Sequence, residues 1–134
     1  MRDRAWLLGL AIAYGAASLF HHAHNALYLS AYPNLPTSLT PARVMAAWVA
    51  QASVGILGYA LLRHGRQRAG LVLLAIFGSL GYLGLAHYQR APVHAHTAAM
   101  NASIGLEVVA GTMLLVCALV VLAGATARSG VAGR

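Results

Sequence analysis

Residues 44–62 read VMAAWVAQASVGILGYALL, from Val44 to Leu62, with no Asp, Glu, Lys or Arg between Arg43 and Arg63. A hydrocarbon core of about 30 Å takes about 20 apolar residues at 1.5 Å per residue, so this stretch reads as one transmembrane helix. Working outward, the same absence of charge holds between Arg4 and Arg43 and from Ala69 to Gln89, while Ala91 to Ala127 carries only Glu107. The predicted architecture is therefore an all-α integral membrane four-helix bundle with helices near 5–30, 42–62, 69–89 and 97–125. The first and last runs exceed what a bilayer requires, so their outer ends tilt or project as helix. The size suits a single transmembrane domain spanning 1–134.

Composition points the same way. Charged residues make up 8% of the chain and apolar residues 60%, against roughly a quarter charged in soluble domains. Cys117 stands alone in an apolar run, so no disulfide and no cysteine-based zinc site is available. A net charge of +7 would suggest nucleic acid in a soluble protein. Its placement excludes that partner here. Arg2, Arg4, Arg63, Arg66, Arg68, Arg128 and Arg134 fall on one side of the predicted spans, and only Arg43 and Arg90 on the other. The positive-inside rule then puts both termini in the cytoplasm, in a multi-pass protein of the cell membrane. Arg2 and Arg4 followed by an apolar stretch and Gly15, Ala16 and Ala17 also fit a signal peptide, but the run continues as apolar helix past any cleavage point.

The loop before the second helix, Tyr32 to Pro41, is rich in turn formers. Thr40 is the expected cap and Pro41 the first helical residue. Gly55 and Gly58, then Gly78, Gly81 and Gly84, recur at three-residue spacing, where small residues let helix backbones approach closely.

Six of the seven histidines fall in the outer half. His21, His22, His24, Asn25 and Tyr28 lie on the first helix. His87 and Tyr88 lie on the third, His94 and His96 around the second outer loop, and Asn101 and Glu107 on the fourth. Helical spacing makes stripes of His21/His24/Asn25/Tyr28 and His96/Met100/Ser103/Glu107. Counting inward at 1.5 Å per residue puts His21 and Glu107 roughly 15 Å deep, Gln51 roughly 14 Å, Asn25 and Asn101 roughly 6 to 8 Å, and His87 at the mouth. Polar groups in hydrocarbon cost on the order of 2.5–3.5 kcal/mol or more, so these face one another inside the bundle. They outline a polar pocket opening to the extracytoplasmic side, with His22, Asn25, Gln51, Met100 and Asn101 in its wall.

Imidazole suits copper, zinc and iron, and a carboxylate is a common partner of a ligating histidine. The expected ligands are His21, His24, His87, His94 and His96, with Glu107 as a further ligand or as the catalytic proton carrier. The Met100 thioether would suit reduced copper. The alternative for the same cluster is a hydrogen-bonded network without metal. Tyr28, Tyr32, Tyr88 and Trp6 read as an interfacial aromatic belt.

Several functions fit these residues. One is a membrane metalloprotein handling a metal ion or acting as an enzyme on a lipophilic small molecule from the lipid bilayer; whether it is an enzyme stays open. Another is an electron-transfer subunit with haem b between His21 or His24 and His87, where Gly84 would make room for the ring. A third is a small proton-coupled transporter using Glu107, working as a homo-oligomer, and a fourth is a subunit of a larger membrane complex. In size, helix number and possession of a buried carboxylate the chain resembles the small multidrug-resistance exporters. Their carboxylate lies in the first helix and they lack the histidines, so their site does not transfer. The order His21-His22-Ala23-His24 likewise departs from the H-x-x-H-H boxes of membrane hydroxylases and desaturases.

Overall fold

The computed structural model describes residues 5–131, all helix and connecting turns with no strand among them. Its helices are α1 (Ala5–Leu27), α2 (Pro41–Arg63), α3 (Gln67–Ser79), α4 (Ala86–Arg90) and α5 (Ala98–Val131). The loops 28–40 and 91–97 lie at one end of the bundle, called the loop end below. Around the bundle, α1 packs on α2 and α5, and α3 packs on the same two, so α1 and α3 occupy opposite corners.

Three segments are long and apolar enough to cross a membrane: Pro41–Arg63, Gln67–Arg90 and Ala98–Ala125. Helix α1 has the length, 23 residues, but its last two turns carry His21, His22, His24 and Asn25, which dilute its apolar character. The outward surface is nonetheless hydrocarbon, with Ile12, Ile56, Leu57, Val109 and Val120 all exposed.

Two boundaries differ from the sequence reading, each for a visible reason. Helix α1 ends at Leu27 rather than near residue 30, and a 3₁₀ turn, Leu29–Ala31, follows it. The tightened turn brings Tyr32 inward, where it is buried and hydrogen-bonded to His24. The third span is not one α-helix. Its middle, Leu80–Leu85, is 3₁₀ between α3 and α4, at the place where Gly78, Gly81 and Gly84 press on α5. A Cβ on Gly78 would lie 2.6 Å from the Gly111 carbonyl oxygen, and one on Gly111 would lie 2.5 Å from that of Gly78. Only two glycines permit that approach. The other glycine face works similarly, since a Cβ on Gly70 would meet the Gly58 carbonyl oxygen at 2.7 Å and join α2 to α3.

The capping expected before α2 is present: the Thr40 hydroxyl accepts from the Arg43 amide at 3.3 Å, with Pro41 in the first turn. Asn34, in left-handed backbone at φ 55°, donates its amide to the Arg90 carbonyl at 2.9 Å and ties the two loops together. The core then divides along the bundle axis. Away from the loop end it is apolar, with Tyr14 edge-on to Phe77 at 4.5 Å between ring centroids and packed with Leu114, and with Leu74, Ala75 and Ala118 beyond. Toward the loop end it is polar.

Candidate functional site

Glu107 is 1% exposed. Its Oε1 accepts a hydrogen bond from the Ser18 hydroxyl at 2.7 Å. Its Oε2 lies 3.7 Å from His21 Nε2, and Oε1 lies 3.7 Å from His22 Nδ1. Among the described residues these two imidazoles are its only ion-pair partners. Helix α1 supplies Ser18, His21 and His22 within little more than one turn, and α5 presents Glu107 and Ser103 four residues apart on one face. Gly84 completes the niche, because a Cβ there would stand 3.0 Å from Glu107 Oε2 and 3.9 Å from His21 Nε2.

The hydrogen bonds assign the tautomers. His22 Nδ1 is 2.9 Å from the Ser18 carbonyl, so that nitrogen carries the proton and Nε2 accepts from the Gln51 amide at 3.4 Å. Ser103 spends its own proton on the Met100 carbonyl at 2.9 Å and therefore accepts from His21 Nδ1–H at 3.1 Å. That leaves a bare lone pair on His21 Nε2 facing a carboxyl oxygen of Glu107, both buried. Two acceptors so placed are satisfied only when a proton sits between them, on one partner or the other.

From this pair the polar core runs to the loop end. Tyr32 stacks against His87 at 4.8 Å between centroids and bonds His24 Nδ1 through its hydroxyl at 2.9 Å. Burial pushes the Tyr32 phenol up from its ordinary range, an effect partly offset by the neighbouring Ser103 hydroxyl. His87 lies edge-on to His21 at 5.4 Å and to His96 at 6.1 Å, and its Nε2 meets the Asn25 amide at 3.2 Å.

The structure thus brings His21, His22, Asn25, His87, His96 and Glu107 together as buried groups, with Gln51 reaching them through His22 and Met100 buried beside them in sequence. His24 is half-buried and joins through its hydrogen bond to Tyr32. His94 stands apart, exposed on the 3₁₀ turn Val93–Ala95. Asn101 clamps that turn, donating to the Val93 and His96 carbonyls at 3.1 and 3.3 Å and accepting from the Tyr88 hydroxyl at 2.9 Å. Ser18 and Tyr32 belong to the site although their residue types alone did not single them out. Ser18 had a signal, since it shares a helix face with His21, His22 and Asn25.

The rings pack against one another. The cavity of about 530 Å³ at the loop end is lined by Leu27, Tyr32, Asn34, Pro36 and neighbours, and one of about 260 Å³ between α1 and α2 by Leu8, Ile12, Gly15, Gly55 and Phe77. Neither contains a histidine. Among the described residues no three His, Cys, Asp or Glu side chains are placed to hold a metal ion. The nitrogens around Glu107 are already engaged: His21 Nε2 faces its carboxyl at 3.7 Å, His22 Nε2 meets the Gln51 amide at 3.4 Å, and His24 Nδ1 bonds the Tyr32 hydroxyl. A haem does not fit between His21 and His87 as they stand, because the two rings touch edge to face and Glu107 occupies the space beside Gly84. No family model, curated protein or solved structure matches the chain.

Proposed function

We propose that this chain is a four-helix membrane protein, both termini cytoplasmic, that moves protons across the bilayer through Glu107. The observation that carries the proposal is the buried His21–Glu107 pair, where an imidazole nitrogen and a carboxyl oxygen stand 3.7 Å apart with no arginine opposite among the described residues. An ionisable group held in the membrane interior commonly marks an ion or proton pathway. The asymmetry of arginines supports the orientation, and the apolar exterior supports α1 as a fourth span beside the three more apolar segments.

A route for the proton follows the polar core. Ser103 beside His21, then Tyr32 bonded to His24, lead from His21 to the loop end, and Ser103 relays once its hydroxyl turns from the Met100 carbonyl towards Tyr32. In the other direction Tyr14, Phe77 and Leu114 close the path. Release to the cytoplasmic side therefore requires a second arrangement of the helices. The 3₁₀ segment Leu80–Leu85 lies against Glu107 and is the element suited to change, because such stretches inside a long helix often mark hinges.

The test is proton movement in vesicles containing the purified protein and a pH-sensitive dye, driven by an imposed pH gradient. Wild type should acidify the lumen, and Glu107→Gln, which keeps the shape and the Ser18 contact, should lower the rate at least tenfold while eluting and melting as wild type. An equal rate in the variant, or no protein-dependent proton movement at all, would sink the proposal.

A further inference from the structure

Three buried side chains near the loop end are not used by the proton route: Asn25, His87 and His96, at 8%, 8% and 5% exposure. Each has an atom sealed from solvent without a hydrogen-bond partner, Asn25 Oδ1, His87 Nδ1 and His96 Nε2. Buried polar atoms are rarely left so, and three in one contact cluster call for an occupant.

The tautomers say what kind. His96 Nδ1 is 3.2 Å from the Pro92 carbonyl and donates to it, so His96 Nε2 is a bare lone pair. At His87, turning the Asn25 amide about its own axis lets Oδ1 accept from His87 Nε2–H over the same 3.2 Å. That satisfies the orphaned Oδ1 and makes His87 Nδ1 a second bare lone pair. In both residues one ring nitrogen is then fixed by a protein oxygen and the other is free, which is the arrangement that prepares a histidine to ligate. The His87 and His96 ring centroids are 6.1 Å apart at 78°, within the span that two imidazoles cover when they share one ion at about 2.0 Å from each nitrogen.

We propose that His87 Nδ1 and His96 Nε2 bind one monovalent soft metal ion, Cu(I). Zinc in protein sites takes four ligands, and among the described residues no third His, Cys, Asp or Glu joins this pair. Cu(I) is content with two nitrogen donors in line. Its single charge also suits a site with no carboxylate among the described residues, since a divalent ion would bring two uncompensated charges into a buried place. The inference does not rest on proton transport, because Glu107 touches neither ring.

The test uses the intact protein in detergent, with Cu(I) under reductant titrated against a chromophoric chelator, and Ag(I) as a redox-inert stand-in. One ion per chain is expected, with His87→Ala and His96→Ala each weakening binding at least tenfold and His94→Ala, on the same loop, leaving it unchanged. Should an alanine variant misfold, ¹⁵N spectra of wild-type histidines give the answer without substitution: added Ag(I) should shift the His87 and His96 ring signals and leave those of His64 and His94 in place. Absence of stoichiometric binding, affinity insensitive to both substitutions, or shifts only at the exposed histidines would overturn the proposal and leave a buried water as the occupant. Proton movement in the same His87→Ala and His96→Ala proteins separates the two readings, since either can fail while the other holds.

Discussion

Replacing Gly78 by Ala tests the contact on which the site is hung. Its new methyl would fall 2.6 Å from the Gly111 carbonyl oxygen and 2.7 Å from the Leu115 amide nitrogen, both backbone atoms. Restoring a contact of ~3.4 Å means parting α3 and α5 by about 0.8 Å, and a gap of that order forfeits a quarter to a half of each van der Waals contact across it. The expected loss is about 1–3 kcal/mol, the range for overpacking a close interface. Gly111→Ala makes the same demand from the other side, with 2.5 Å to the Gly78 oxygen. Because one parting accommodates both methyls, the double variant should be less destabilised than the sum of the singles by roughly 1 kcal/mol. Reversible unfolding in mixed micelles, followed by circular dichroism, measures all three. Gly105→Ala is the control: it lies on the same helix with nothing within 4 Å, so alanine there should be neutral or stabilising by up to ~1 kcal/mol. Parting α3 from α5 also draws Gly84 off the Glu107 carboxyl, so proton movement should fall in the single variants. Single variants within ~0.5 kcal/mol of wild type, or strict additivity in the double, would refute the reasoning.

Ser18→Ala should destabilise the protein by about 1–3 kcal/mol, because it strips Glu107 Oε1 of its one hydroxyl donor; a melting curve unchanged from wild type would show that the bond contributes nothing. Asn34→Ala removes both a residue tolerant of φ 55° and the tether to Arg90, at a cost of about 1–2 kcal/mol, whereas Asn34→Gly should lose only the tether and rank between the two in thermal melts. Thr40→Ala should cost about 1 kcal/mol by uncapping α2, and amide exchange should speed up at Arg43 before it does deeper in the helix.

Much of the molecule was legible in the residues themselves. Charge-free runs bounded by arginines mark the long helical segments and their approximate ends, because length and polarity alone set where an apolar helix can run. Thr40-Pro41 marks the start of α2, and the three-residue glycine spacing marks which faces meet. Depth counting also pairs His21 with Glu107 and brings Gln51 to the same level, joined through His22, since rise per residue is a property of the helix and not of its neighbours. What tertiary structure alone decided is which nitrogen faces which oxygen. Of the histidines that residue type offers as equals, His21 and His22 fall to Glu107, His24 to Tyr32 and His94 to solvent, while His87 and His96 keep unpaired nitrogens inside. Tyr32 turns inward because the chain tightens into a 3₁₀ turn after Leu27, and the third helical segment tightens into 3₁₀ where Gly78 and Gly81 meet the backbone of α5 and Gly84 meets the Glu107 carboxyl. Those outcomes depend on rotation and close approach between helices, which periodicity along a single chain does not encode.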